Sequence, residues 1–399
     1  MLKCTSCGRE YSLRKPYQRC ECGEPLELEL FKSTPGIGRR IWERFLGFFP
    51  FELNPDLSLG EGDTSLTKAK KLSKELGVKL YLKNETLNPT WSFKDRGTYI
   101  GIHRALQLGF EKIGTVSTGN MAASVAAYGA RAGLETYILV SSTIPEEKLK
   151  ALALYGARII KVQGDYGELY YKSLKIGRKR GIYFINSDDP FRVEGYKTIS
   201  FEIIEEVTPD YVVVPTSSGG LFRGIVKGFL ELKESELIEK LPCFVVVQAE
   251  GCSPICKAFN DRKEKIERFE SPHTIAHAIE NPCPPSGNAV LRLLKKIKGL
   301  CVAVSDEEIL DAQRALGKEG LFVQPASATG IAAIRKLKEK EIIEDGTIEE
   351  NSRVVSILTG SGLKTLSHVE GGEIKECWLQ ELEECLRYRE EKEMSLQGY

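Results

Sequence analysis

Asn88-Pro89-Thr90-Trp91-Ser92-Phe93-Lys94-Asp95-Arg96-Gly97 is the stretch on which the reading of this chain turns. It follows an alternating, strand-like run (Val78 to Lys83) and precedes a helical one (Thr98 to Leu108). Pro89 fixes its own φ and pushes Asn88 out of the helical region, so Asn88-Pro89-Thr90 reads as a turn. Ser92 then falls where an N-cap belongs, and Lys94 in the first helical turn. There the free backbone N–H groups and the positive end of the helix dipole disfavour a second positive charge. A lysine so placed loses its proton more readily, and a neutral amine attacks aldehydes. Taken alone, the position also suits an ordinary solvated lysine.

The bulk properties bound the function classes. A chain of 399 residues, 42% hydrophobic and 28% charged, has room for two or three domains of ordinary globular composition. The 56 basic residues are matched by 56 acidic ones, so no global field favours nucleic acid or an anionic membrane. No apolar run approaches the roughly 20 residues needed to span a bilayer. The start, Met1-Leu2-Lys3-Cys4, has no signal-peptide core, so a cytoplasmic location is expected. Eleven cysteines in so long a chain do not suggest a secreted disulfide scaffold. Cys243, Cys252, Cys256 and Cys301 lie in or beside apolar runs and read as small buried hydrophobes.

Four other cysteines open the chain as Cys4-x-x-Cys7 and, twelve residues later, Cys20-x-Cys22. Gly8 and Gly23 follow the two pairs and let backbone N–H groups turn toward sulfur. The spacing suits a structural Zn²⁺ with four thiolates and no open position. Reduced, unliganded hairpins or disulfides remain alternatives. Lys3, Arg9, Lys15 and Arg19 are offset by Glu10, Glu21, Glu24, Glu27 and Glu29, so no basic face marks a nucleic-acid reader.

Beyond an aromatic connector (30–59, with a helix over 41–49) comes a turn and a helix over 68–76. From 98 onward helices and strands alternate. Strands are expected at 114–117, 136–140, 158–162 and 183–185, with helices at 121–133, 146–155 and 166–180 between them. Strands at 211–215, 244–248, 301–304 and 353–358 follow, with helices from 225, 306 and 330. Apolar strands in a βαβα rhythm imply parallel sheets covered on both faces.

Three further turns sit where α/β sheets hold ligands, at strand ends and helix starts. Ser117-Thr118-Gly119-Asn120 offers hydroxyls, backbone N–H groups and an amide; in isolation, ordinary N-cap chemistry is its plainer reading. Thr216-Ser217-Ser218-Gly219-Gly220-Leu221 has paired glycines whose successive N–H groups can line an anion site. A tight strand-to-helix turn would account for the glycines but not for the serines. Thr359-Gly360-Ser361-Gly362 places a hydroxyl at a strand end. Finally, Asn186, Ser187, Arg192 and Lys197 could converge on a phosphate, Arg through two parallel N–H bonds. The plainer reading of that segment is a turn and a helix with Glu194 and Lys197 paired on its surface.

Asn-Pro-Thr-x-Ser-Phe-Lys-Asp-Arg-Gly, with the later motifs in order, resembles the tryptophan-synthase-β-like (fold type II) pyridoxal 5′-phosphate (PLP) enzymes. The threonine synthase branch is the most similar. The resemblance runs from about 58 to 366, and similar cysteine ribbons precede some members. It implies two three-layer α/β domains with parallel sheets behind a zinc-ribbon-like segment (1–29). The large PLP-binding domain would comprise 30–95 and 205–369, the small substrate-closing one 96–204, and a charged helical extension 370–399. Lys94 would carry PLP and be catalytic. Asn120 would contact the ring's phenolic oxygen, Ser217, Ser218, Gly219, Gly220 and Leu221 its phosphate, and Thr359 its ring nitrogen. Ser117 and Thr118 would hold the substrate carboxylate, and Lys148, Asn186, Ser187 and Arg192 the phosphate of O-phosphohomoserine. Cys4, Cys7, Cys20 and Cys22 would hold the zinc, and a homodimer is the expected assembly.

The sequence departs from the pattern at Trp91, where glycine is expected, and at Ser65, where proline is usual. Ser218 and Leu221 stand where asparagines are common, and 281–287 also differs. These departures keep open a cysteate synthase-like replacement on O-phosphoserine, or a serine or threonine dehydratase. A non-catalytic ribbon module on a retired enzyme scaffold is the third class, opposed by the intact lysine.

Overall fold

Val212, Val213 and Val214 show how the larger sheet is built. Side chains alternate across a strand, so Val212 and Val214 enter one apolar core and Val213 the other. The neighbouring strand does the same with Phe244 and Val246 against Val245 and Val247. A strand buried on both faces must be apolar throughout, which is why these runs lack the polar alternation of a surface strand. In the computed structural model, which describes residues 1–117, 119–142, 144, 146–339, 348–366, 376–383 and 385–386 (without the side chains of Glu147, Lys148 and Tyr166), six strands form this sheet. Their order is Leu300–Val304, Cys243–Ala249, Tyr211–Pro215, Arg353–Leu358, Lys79–Asn84, Leu66–Lys68. All pairs are parallel except the last, where Leu66–Lys68 runs antiparallel as an edge strand that the sequence reading took for a turn.

A second, four-stranded sheet is wholly parallel, in the order Arg158–Val162, Glu135–Ser141, Lys112–Val116, Ile182–Phe184. The N-terminal segment is a third, antiparallel sheet of Glu10–Tyr11, Leu2–Cys4 and Leu26–Leu28. Contacts divide the chain into Met1–Lys364 and Thr365–Tyr399. The expected extension falls largely outside the described residues; those that are described include a short turn, Leu379–Glu381. Among the described residues no helix is long and apolar enough to cross a membrane.

Several local expectations are corrected. Helices begin at Gly220 and Pro325, five residues before the positions expected from periodicity, while the helix at Lys94 starts one residue later than Ser92 as its cap would put it. Phe93, not Ser92, precedes the Lys94 helix, and Ser92 is buried with no partner for its hydroxyl. The 41–49 helix is shorter, Ile41–Arg44 followed by a 3-10 turn at Leu46–Phe48. Cys256 and Cys301 are not separate apolar fillers but a disulfide. Glu194 and Lys197 do pair, at 2.6 Å, yet both are fully buried, with Lys227 on Glu194 at 2.5 Å and Glu231 on Lys197 at 2.9 Å. Helical spacing shows that two charges can meet, not which way the helix faces.

Helix Lys94–Gln107 and helix Pro190–Tyr196 touch backbone to backbone. A methyl group on Gly195 would stand 2.6 Å from the Arg96 carbonyl carbon and 2.7 Å from the Gly97 Cα. One on Gly97 would stand 2.7 Å from the Tyr196 ring. Gly195→Ala is therefore expected to destabilise the protein by about 1–3 kcal/mol through overpacking. Gly317→Ala, in a helix with nothing within 4 Å of the added carbon, should stabilise it by up to about 1 kcal/mol. Urea denaturation of the two variants checks both signs.

Candidate active site

Lys94 is the first residue of its helix, and the strand-end turn at 359–361 holds the segment before it. The Phe93 N–H donates to the Thr359 carbonyl at 3.1 Å, and the Ser361 N–H to the Trp91 carbonyl at 3.0 Å. Asp95 fixes the other side, its carboxylate accepting from the Thr90 N–H at 2.7 Å and the Thr90 hydroxyl at 2.6 Å. Trp91 sits at φ +61°, the left-handed region that favours glycine. The expected glycine thus has a backbone reason, and the tryptophan adopts the strained conformation with its ring half exposed.

The Lys94 side chain is half-buried, with Nζ 4.3 Å from the centre of the Phe93 ring. Burial pushes its pKa down to about 7, and the Arg192 guanidinium adds to the effect. The sequence argument put this shift on the helix dipole; burial is the larger cause. The amine is neutral in a substantial fraction at neutral pH and keeps access to solvent.

Arg192 is fully buried. Its Nη1 donates to Thr98 Oγ1 at 2.8 Å, its Nη2 to the Lys94 carbonyl at 3.1 Å and to Tyr196 Oη at 2.6 Å, and its Nε to Tyr196 Oη at 3.0 Å. Every one of these acceptors is neutral. Among the described residues no carboxylate forms an ion pair with it. Two helix positions away from Lys94, Arg96 is treated differently. It donates to Glu85 at 2.6 and 2.7 Å and to Glu202 at 2.5 and 2.7 Å, and Lys83 joins Glu202 at 2.6 Å. A buried cation without an anion is costly, by several kcal/mol. Arg192 therefore marks a place where an anionic ligand is favoured.

The glycine turn lies beside it. Helix Gly220–Glu234 starts after Gly219 at φ +93°, with no side-chain cap. A methyl on Gly220 would stand 2.6 Å from the Ser187 carbonyl oxygen and 3.5 Å from the Tyr196 ring. The turn thus packs directly on the Asn186–Arg192 segment. Ser218 accepts at its carbonyl from the Ser286 N–H (3.1 Å) and at its hydroxyl from Asn281 Nδ2 (3.3 Å). Ser217 and Ser218 are half-buried, whereas the Leu221 side chain is buried in the core and has only its backbone N–H to offer a ligand.

Asn120 begins helix Asn120–Arg131 and donates through Nδ2 to Gln324 Oε1 at 2.7 Å. Thr359 Oγ1 lies 3.0 Å from Ser327 Oγ, which receives the Gly360 N–H at 3.0 Å. A methyl on Gly360 would meet Gln324 Oε1 at 2.6 Å and Asn120 Nδ2 at 3.2 Å. Asn120, Gln324, Gly360 and Thr359 therefore form one cluster, joined to Lys94 through the 91–93 segment. Gln324, Ser327, Tyr196 and Asn281 had no expected role in the site.

Other expected ligands are placed less directly. The Ser117 hydroxyl accepts from the Gly119 N–H at 3.3 Å. Thr118 and the Lys148 side chain lie outside the described residues. The Asn186 amide is engaged inside the protein, accepting from the Val116 N–H at 3.0 Å and donating to Ser173 Oγ at 3.1 Å. In this arrangement it orients the Ser117 turn. The four N-terminal sulfurs all lie within 4.8 Å of one another, with Cys4–Cys22 at 3.5 Å and Cys7–Cys20 at 3.6 Å. Thiolates about 2.3 Å from one tetrahedral ion would have such separations.

The residues fit a phosphorylated aldehyde cofactor. A neutral amine, an uncapped helix start over paired glycines, an amide at Asn120 and a hydroxyl at Thr359 are the groups it requires. Residues 57–360 match the model of a family described as pyridoxal-phosphate dependent enzyme. A threonine synthase of Methanocaldococcus jannaschii is 40% identical over 379 residues, covering 91% of this chain and 92% of that protein. One from Methanosarcina acetivorans is 35% identical over 378 residues, with the same coverage. The processed threonine deaminase isoform 2 of Solanum lycopersicum shares the fold, with a TM-score of 0.64 at 23% identity, covering 87% of this chain and 98% of that one.

The depressed pKa of Lys94 sets a pH dependence. The reactive form is the neutral amine, so cofactor uptake by the apoprotein should accelerate as pH rises through about 7 and level off above it. Stopped-flow absorbance of PLP binding measures this, and Lys94→Ala should show no covalent uptake at any pH.

Proposed function

We infer the reaction from one premise: the chain belongs to the pyridoxal-phosphate dependent enzyme family, with threonine synthases among its relatives at 35–40% identity. It acts as a threonine synthase, converting O-phospho-L-homoserine and water to L-threonine and phosphate. The observation that carries the substrate class is Arg192, a buried guanidinium with only neutral partners, bonded to the carbonyl of Lys94.

PLP, held by Lys94, supplies an electron sink for negative charge developing next to the substrate amino group. The backbone N–H groups of Ser217, Ser218, Gly219, Gly220 and Leu221 hold its phosphate at the start of an uncapped helix. Asn120 would contact its phenolic oxygen and Thr359 its ring nitrogen. A hydroxyl there is neutral, which disfavours a permanently protonated ring and so favours elimination and replacement over transamination. Arg192 would hold the substrate phosphate with Ser187 and Lys148, Asn186 would orient the Ser117 turn through its bonds to Val116 and Ser173, and Ser117 with Thr118 would hold the carboxylate. The Lys94 amine, with a pKa near neutrality, takes a proton at Cα and returns one during the shift toward Cβ. Phosphate leaves from Cγ as a proton is lost from Cβ, Cγ takes up a proton to become the methyl group, water adds at Cβ as hydroxyl, and a proton returns to Cα.

The same reading takes 30–95 with 205–369 as the cofactor-holding domain and 96–204 as the one that closes over substrate. In its support, the four-stranded sheet falls wholly within 112–184. It includes a homodimer, a cytoplasmic location and a structural zinc on Cys4, Cys7, Cys20 and Cys22; the sulfur spacing supports the metal. Cys20→Ser should then lose one zinc per chain and lower the melting temperature, as read by metal analysis and calorimetry.

The decisive assay offers the holoenzyme O-phosphohomoserine and O-phosphoserine side by side. Threonine and phosphate should form from the first. Phosphate release from O-phosphoserine alone would instead establish the cysteate synthase-like reading. Arg192→Gln should keep the visible PLP band and lower kcat/KM for the phosphorylated substrate about a hundredfold, the loss of roughly 3 kcal/mol of charge-assisted hydrogen bonding.

A further inference from the structure

Arg19, beside Cys20 in the second cysteine hairpin, reaches out of its own hairpin to the Ser187–Arg192 segment and to the 285–286 stretch that braces the glycine turn. Its Nη1 pairs with Asp188, and its Nη2 donates to the Pro285 carbonyl at 3.0 Å. Nε donates to the Gly23 carbonyl of its own hairpin at 2.9 Å. The guanidinium is stacked by two tyrosines, 5.9 Å from the Tyr170 ring centre and 5.5 Å from that of Tyr171. Tyr170 also donates its hydroxyl to Asp188. Both members of the ion pair are nearly inaccessible, with side chains 8% and 1% exposed.

What these two attachment points control decides their meaning. Asp188 follows Ser187, whose carbonyl packs on Gly220, and lies in the turn that leads to Arg192. Pro285 precedes Ser286, whose N–H donates to the Ser218 carbonyl at 3.1 Å and whose side chain would meet a methyl on Gly219 at 3.0 Å. One guanidinium therefore joins the substrate-phosphate segment to the brace under the cofactor-phosphate turn. Further contacts from the same N-terminal sheet hold the same two regions. Gln18 Nε2 lies 3.3 Å from Asp189 Oδ2, Glu24 pairs with Arg292 at 2.7 Å, and Arg223 donates to both the Leu26 carbonyl (2.9 Å) and Ser286 Oγ (3.0 Å).

We propose that Arg19 is a positioning residue of the active site: it holds the Ser187–Arg192 and Ser217–Leu221 segments in register, so that the N-terminal ribbon serves phosphate recognition. This rests on reading those segments as anion-binding. Nε, Nη1 and Nη2 of one planar fork reach Gly23, Asp188 and Pro285 from three separate atoms, whereas a lysine ammonium offers its donors from a single nitrogen. It touches neither substrate nor cofactor, so its effect is on affinity for phosphate groups.

The test uses the full-length protein with Arg19→Ala and Arg19→Lys. Three quantities are read: the PLP dissociation constant from the visible band, the binding of inorganic phosphate to holoenzyme by calorimetry, and the melting temperature. Arg19→Ala should weaken both affinities about tenfold, with Arg19→Lys between it and the unaltered protein. Should the alanine variant fail to fold, the lysine variant decides. Unchanged affinities in a folded variant, with only the melting temperature lowered, would reduce Arg19 to an anchor for the ribbon and overturn the proposal. Failure of the underlying reading looks different: the unaltered holoenzyme would bind no inorganic phosphate, and the inference would fall with it.

Discussion

Two helix backbones touch where Gly97 meets Gly195, and the site depends on that contact. It fixes the start of the Lys94 helix against the turn that carries Ser187 and Arg192. It also presses the Tyr196 ring between Gly97 and the glycine turn at 219–220. Tyr196 thereby becomes a shared wall for the lysine helix and the anion-binding helix, and its hydroxyl orients Arg192. Protein interiors are packed too densely for such a contact to be adjusted without moving what lies on either side. The amine, the guanidinium and the glycine turn are thus held as one unit.

Charge balance separates what is structural from what is functional in this interior. Arg96 and Lys83 are offset by Glu85 and Glu202, and Lys197 and Lys227 by Glu194 and Glu231. Each set is a closed account of two cations and two anions, with most donors satisfied. Arg192, between them in the fold, has hydroxyls and a carbonyl instead. Its field acts on Lys94, where it works with burial to keep the amine poised near neutrality. An arginine left without a carboxylate also leaves room for a substrate to supply the negative charge.

Helix starts differ in how their N–H groups are met. Asp165 receives the Glu168 N–H, Ser305 forms a reciprocal pair with Glu308, and Asp189 receives the Phe191 N–H at the start of the helix that carries Arg192. Those at Lys94, Asn120, Gly220 and Pro325 have no side-chain cap. A cap would occupy the N–H groups that a ligand needs, at a cost of about 1 kcal/mol of helix stability when it is missing. At Gly220 and Pro325 the apolar periodicity registers only after the first turn, so these two helices begin earlier than that pattern alone suggests.

The sequence by itself determined the α/β alternation and the cysteine pairs, and it put Lys94, Asn120, the 217–221 turn and Thr359 at strand ends and helix starts. Each depends on local properties: apolar runs, spacing, and glycine or proline geometry. The tertiary structure alone decided which charges are neutralised. Glu194 and Lys197 look like a surface pair in sequence and are buried, while Arg192 differs from Arg96 only in what surrounds it. Gln324, Ser327, Asn281 and Tyr196 were likewise silent, because their partners are Asn120, Thr359, Ser218 and the glycines of two other helices, most of them far away in the chain. Such pairings arise when distant elements pack, and no local pattern records them.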